Sequence, residues 1–236
     1  MRKEAQKLVL IEKLITFYKS SVTGNKMRNI IIWVILSYLI GSFPTGYIVT
    51  KLFHKGEDGK RDGLDIRTIG SGAIGATNVG RAMGPVWSWF TAIVDMLKGA
   101  FALLLAAHIA PAEQQEIIAA VSAFAVVIGH NYPVWLKFRG GKGVATTYGT
   151  LFFIWPYESF AAVLLCGGLW YIIRGTTHIV SLASMLSLAA ISVCFAMLGA
   201  PLTFTILAAV LALLCVWRHR TNIVRIINGT ENKWHR

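Results

Sequence analysis

The apolar residues of this chain come in long blocks, and its charges are confined to the segments between them. A helix needs about 20 apolar residues to cross a bilayer. Seven blocks are candidates: 29–53, 86–108, 114–132, 144–156, 158–174, 178–199 and 201–217, the fourth being short enough to suggest a tilted or partial crossing. Pro111, Pro133, Pro156 and Gly199-Ala200-Pro201 punctuate the connectors. The pattern predicts an all-α integral membrane protein, a seven-transmembrane helix bundle in one domain over 29–236. Composition agrees: 55% of residues are hydrophobic and only 14% charged, against about 25% charged in soluble domains. Disorder is excluded by the same figures.

The charge is lopsided, with 23 Lys and Arg against 11 Asp and Glu. Basic residues crowd the 51–81 and 133–143 connectors and the tail from 218, and Arg174 stands between the fifth and sixth blocks. The connectors 109–113, 156–158 and 199–201 carry none. The positive-inside rule makes the basic face cytoplasmic, with residue 29 outside and the C-terminus in the cytoplasm. Residues 1–28 carry seven basic residues yet fall on the wrong side. Three readings stand for this extension. It is an amphipathic surface helix built on Leu8, Ile11, Leu14, Ile15 and Tyr18, or the true start is Met27, or the first span is re-entrant. Cys166, Cys194 and Cys215 all lie in apolar blocks and read as core or lipid-facing residues.

The remaining polar residues form three clusters on the basic face. The first runs from Arg67 to Arg81. Its glycines, including Gly70 and Gly72, permit close backbone approach, and Ser71, Asn78 and Arg81 add donors suited to phosphate. A helix beginning near Gly75 would put Asn78 and Arg81 on one face. The second joins His130 and Asn131 to Arg139-Gly140-Gly141-Lys142-Gly143 and then Thr146, a glycine loop at a helix start. It lacks Walker A spacing. His130 reads as a structural hydrogen-bonding residue. The third contains Arg218, His219 and Asn222 and ends near Glu231; His219 and Asn222 are spaced to share a helix face. Asp95 and Lys98, three residues apart within the second block, read as an ion pair near the cytoplasmic end. Ser181, Ser184 and Ser187 read as small residues for close helix packing.

These clusters point to an anionic, phosphorylated substrate taken from the cytoplasm. The absence of a GxSxG elbow, an HExxH helix or a carboxylate pair argues against a protease or serine hydrolase. A transporter for a phosphorylated anion is the rival reading, but it predicts polar midplane helices and internal repeats, and none is visible. A lipid-binding scaffold would need no converging His and Asn.

The segments GSGAIGATNVGRAMG, DMLKG, GHNYPVWLKFRGGKGVATTYG, SLASMLS and WRHRTNIVRIINGTENK resemble the bacterial acyl-phosphate:glycerol-3-phosphate acyltransferase family (PlsY type) in order and spacing over 29–233. The resemblance implies a seven-span inner-membrane enzyme. It would transfer an acyl chain from acyl phosphate to the first hydroxyl of glycerol 3-phosphate, without a cofactor, a metal, nucleic acid or an obligate protein partner. No histidine is followed by Asp five residues on, so the HxxxxD motif of other acyltransferases is absent. By position, the resemblance assigns Ser71, Lys142, His219 and Asn222 to catalysis. It assigns substrate binding to Gly70, Ser71, Gly72, Asn78, Arg81, Gly140, Gly141, Lys142, Gly143, Thr146, Arg218, His219, Asn222 and Glu231. The general base is His219, His130 or the donor's own phosphate. Ala73 stands where the family commonly has Asn, and the charged stretch Lys55 to Asp62 is extra.

Overall fold

The computed structural model describes residues 24–155 and 157–234. Residues 1–23, and with them most of the expected amphipathic extension, lie outside the described residues. The described elements are helical: α1 over 24–41, then α2 (Thr45–Phe53), α3 (Ala76–Met83), α4 (Pro85–Ile109), α5 (Gln115–Asn131), α6 (Val144–Phe153), α7 (Glu158–Thr177), α8 (Val180–Met197), α9 (Leu202–Arg218) and α10 (Arg220–Ile227).

Five stretches have the length and hydropathy to cross a membrane: Gly24–Phe53, Pro85–Ile109, Ala112–Leu136, Glu158–Thr177 and Val180–Met197. A sixth is α9 together with α10, bent by 61° at His219. The fourth expected span, 144–156, is not among these stretches. It holds the ten-residue α6, about 15 Å at 1.5 Å per residue, half the hydrocarbon thickness. Thr146, Thr147 and Thr150 of α6 are buried, so this short helix is sheltered by protein and does not have to satisfy lipid along its length. The expected first span, 29–53, lies within the stretch Gly24–Phe53, which breaks between α1 and α2 at residues 42–44, where Pro44 lacks an N–H for the ladder.

The central core joins α4 to α9 through Leu103, Val126, Leu151, Leu188, Ile191, Phe195 and Leu211. Glycine permits the closest approach. A Cβ on Gly149 would lie 2.0 Å from the Met96 carbonyl oxygen, and one on Gly99 would lie 2.5 Å from that of Thr146. These two glycines bring α4 and α6 backbone to backbone, as small residues do in membrane helix pairs. A smaller cluster of Val49, Ile66, Ile74, Val79 and Leu136 seats the first polar loop on α2 and α3.

Candidate active site

The first loop is organised from within. Asp65 caps a short 3-10 turn (Ile66–Thr68) by accepting the Arg67 N–H at 3.0 Å. Its carboxylate also takes Arg67 Nη2 at 2.7 Å, so that arginine is already paired. The chain then turns through Gly70 and Gly72, both with positive φ, and enters α3 after Gly75. Asn78 is 2% exposed. Its Nδ2 faces the carbonyls of Ile66, Ile69 and Ala73 at 3.0–3.1 Å, and its Oδ1 accepts the Ser71 N–H at 3.1 Å. The Asn78 amide thus shapes the loop, and Arg81 is exposed while Asn78 turns inward. Ser71 is exposed, and its Oγ makes no hydrogen bond among the described residues.

The second loop is held from two sides. His130 and Gly141 are in backbone contact, Gly141 N–H donating to the His130 carbonyl at 3.1 Å. A Cβ on Gly141 would lie 2.0 Å from His130 Nε2, so only glycine fits. Beneath His130 lies the expected ion pair, Lys98 Nζ to Asp95 Oδ1 at 2.8 Å. Lys98 also donates to His130 Nδ1 at 2.9 Å and to the Phe43 carbonyl at 3.0 Å, at the break after α1. Thr45 Oγ1 donates to Asp95 at 3.0 Å. All three ionisable members are buried, and charges at this depth persist only when paired this fully. The structure bears out the expected ion pair, and Lys98 joins His130 to it. From the other side, Arg218 Nη2 and Nε donate to the Gly141 carbonyl at 2.7 and 3.1 Å, and the guanidinium lies 4.7 Å over the Tyr132 ring. Arg218 thus fixes the loop through Gly141, with Gly140 beside it and buried. Gly143, at positive φ, leads into α6. The Thr146 hydroxyl and both polar atoms of Asn131 are buried without a hydrogen-bond partner among the described residues.

The third segment closes the site. His219 sits at the bend, 3% exposed, its Nδ1–H donating to the Cys215 carbonyl at 2.8 Å. That bond leaves Nε2 as the lone-pair nitrogen of a neutral ring. Asn222 links two loops: its Oδ1 accepts Lys142 Nζ at 2.5 Å, and its Nδ2 donates to Glu231 Oε1 at 2.6 Å. Glu231 is also held by Ser181 Oγ at 2.8 Å and Arg225 Nε at 2.8 Å. Burial pushes its carboxyl up, but the hydrogen bonds from Arg225, Asn222 and Ser181 outweigh that and keep it below the ordinary glutamate value. A carboxylate so engaged orders the tail and is poorly placed to receive an anionic substrate. Ser181, read from spacing as a packing residue, is therefore a polar member of the site. Only the fold brings it to a residue fifty positions away. Beyond Glu231, Trp234 N–H donates to the His178 carbonyl at 2.8 Å, and Arg174 lies over both Trp170 and Trp234.

Arg81, Lys142 and Arg225 come close enough to share the field of Glu231. Burial is the main cause that lowers the Lys142 ammonium to about 8; Arg225 and Arg81 add to it and Glu231 opposes it. Three separate segments thus deliver an excess of positive charge over one carboxylate, next to a buried neutral imidazole.

The family model described as glycerol-3-phosphate acyltransferase matches residues 31–229. The chain is similar to a glycerol-3-phosphate acyltransferase of Gloeobacter violaceus, 40% identical over 204 residues, covering 86% of this chain and 93% of that one. The corresponding protein of Clostridium acetobutylicum is 37% identical over 209 residues, covering 87% and 100%. Among solved structures, PlsY (YgiH), an integral membrane glycerol 3-phosphate acyltransferase in its glycerol 3-phosphate form, superposes with a TM-score of 0.77. The identity is 33%, and the match covers 87% of this chain and 96% of that one. Its lysophosphatidic acid form gives 0.75 at 32% identity, covering 87% and 95%. With the converging basic loops, these likenesses establish that the chain belongs to the glycerol-3-phosphate acyltransferase family of integral membrane enzymes.

Proposed function

We propose that this enzyme transfers an acyl chain from acyl phosphate to the sn-1 hydroxyl of glycerol 3-phosphate, releasing lysophosphatidic acid and phosphate. The observation that carries the reading is the Lys142–Asn222 contact, which sets a cation of the glycine loop beside Arg81, Arg225 and His219. Both substrates bear phosphate, so the site must hold two anions close together, and an excess of fixed cations suits that task. The solved relatives carrying glycerol 3-phosphate and lysophosphatidic acid supply the acceptor and product by analogy.

In the proposed step, the acceptor hydroxyl oxygen attacks the acyl carbonyl carbon, and the bond from that carbon to the phosphate oxygen breaks. The hydroxyl proton passes to His219 Nε2 or directly to the departing phosphate. Phosphate is a good leaving group, so positioning and charge stabilisation do most of the work. Lys142, Arg81 and the N–H groups of Gly70, Gly140 and Gly143 hold the phosphates, and the Ser71 hydroxyl is open to contact substrate. The acyl chain lies between spans, open to lipid.

We further propose that the basic face is cytoplasmic in a bacterial inner membrane, and that α6 with its return segment completes seven crossings of a single domain over 29–236. The test is product formation by the purified protein, offering glycerol 3-phosphate with acyl phosphate, acyl-CoA or acyl carrier protein in parallel. Lysophosphatidic acid with phosphate release from acyl phosphate alone is expected. Activity from acyl-CoA only would overturn the donor, and near-normal turnover by His219→Ala would remove the histidine as base.

A further inference from the structure

The stretch Lys55 to Asp62 is a folded hairpin. Lys55 and Arg61 form an antiparallel bridge. Gly56 N–H donates to the Lys60 carbonyl at 2.9 Å, and Gly59 N–H donates to the Gly56 carbonyl at 2.9 Å. Asp58 accepts the Lys60 N–H at 2.9 Å. Asp62 accepts the Leu64 N–H at 3.1 Å and pairs with His54 Nδ1 at 2.9 Å. Lys51 Nζ ties the following turn through the Gly63 carbonyl at 2.7 Å.

Residues facing each other across an antiparallel bridge project to the same face, with Cβ atoms about 5 Å apart, and like charges there are destabilising. Lys55 and Arg61 are such a pair. Among the described residues no carboxylate comes within ion-pair distance of either. Both line a cleft of about 400 Å³ whose other walls include Phe53, His54, Met83 and Trp87. Asp62, next to Arg61 in the chain, is occupied by His54.

The cleft is amphipathic. Its cationic mouth is set by the hairpin, and its wall is aromatic. Phe53 stacks on Trp87 at 5.0 Å, and Trp87 meets Phe90 edge-on at 5.9 Å. Arg61 lies 5.6 Å over the Phe53 ring. Phe90 and Val86 of α4 are 48% and 76% exposed, so an apolar surface runs from the cleft along a membrane helix. A free phosphate would use only the mouth, whereas a lipid uses both parts. Aromatic rings beside Lys and Arg at a helix end are the composition of a bilayer interface.

We propose that this cleft binds the headgroup of an anionic phospholipid from the leaflet on the side of the active site. Its phosphate sits between Lys55 and Arg61, and its acyl chains follow Trp87 and Phe90. The unmet cation pair then finds its counter-charge in the lipid itself. The site is distinct from the catalytic loops, since neither Lys142 nor the C-terminal segment lines it.

The test is lipid retention by the full-length protein in neutral detergent, read by native mass spectrometry with dioleoylphosphatidylglycerol against dioleoylphosphatidylcholine. The anionic lipid should be preferred, and Arg61→Gln or Lys55→Gln should cut its retention roughly tenfold, the size of one charge-assisted contact. Lys60→Gln removes an equal charge from the same hairpin outside the cleft and should leave retention unchanged. An unchanged melting temperature and unchanged turnover verify that the variants are folded. Equal losses for Lys60→Gln and Arg61→Gln would overturn the proposal in favour of diffuse attraction. Displacement of the lipid by millimolar inorganic phosphate would overturn the lipid as occupant.

Discussion

Lys142 Nζ donates to Asn222 Oδ1 at 2.5 Å, and the same asparagine donates to Glu231 Oε1 at 2.6 Å. One carboxamide therefore couples the glycine loop to the C-terminal segment, with its two ends read by opposite charges. Asn222→Ala breaks both bonds and frees the loop from α10. Loss of kcat/KM of roughly a hundredfold or more is expected, the range seen when a preorganised donor is removed from an active site. Steady-state acyl transfer checks it. Asn222→Asp should be no better, because it sets a second carboxylate beside Glu231.

The Lys142 ammonium, lowered to about 8 chiefly by burial, makes activity sensitive to alkaline pH. Below that value the lysine is charged and attracts phosphate; above it the charge is lost. The kcat/KM for glycerol 3-phosphate should fall as pH rises through about 8, since this ratio reports the free enzyme. Lys142→Arg keeps its charge across the range, so whatever activity it retains should lack that alkaline limb. A limb that persists in Lys142→Arg would assign it to another group.

Gly141 leaves no room for a side chain beside His130. Gly141→Ala should displace the ring or the loop, at about 1–3 kcal/mol for overpacking. Acyl transfer should be nearly abolished while the helices stay folded by circular dichroism. Gly168, with nothing near its position, is the control: Gly168→Ala should be close to neutral.

The Asp95–Lys98–His130 group is support for the glycine loop. Asp95→Ala leaves a buried cation without its carboxylate, expected to destabilise by about 3–5 kcal/mol. A double change, Asp95→Ala with Lys98→Met, should recover much of that stability because no charge is then stranded. Thermal unfolding in detergent compares the two. A double variant no more stable than the single would refute pairing as the reason for the charges.

The tail adds a fifth test. Glu231 is held ionised by Arg225, Asn222 and Ser181. A carboxyl lowered by folding stabilises above its unfolded value and loses that contribution as pH falls through its folded one. The Glu231→Gln variant should therefore show a smaller loss of melting temperature on acidification than the parent chain.

Hydropathy is a local property, and for that reason the apolar blocks were legible as membrane helices from the residues alone. Glycine loops and the His219–Asn222 spacing are also local, and they marked the segments that meet at the site. What a side chain touches across the bundle is not local. Asn78 had the right chemistry for a phosphate, yet four backbone groups surround its amide. Arg218 was an available cation in the sequence, and in the fold it holds the Gly141 carbonyl. Ser181 belonged to a serine repeat that reads as packing, until the tail brought Glu231 to it. The length of α6 and the break before α2 depend likewise on neighbours that shelter exposed backbone groups. Sequence alone determined where helices form and which residue types gather on one face. Only the tertiary structure decided which polar groups satisfy one another, because a buried hydrogen bond is won by the nearest partner in space.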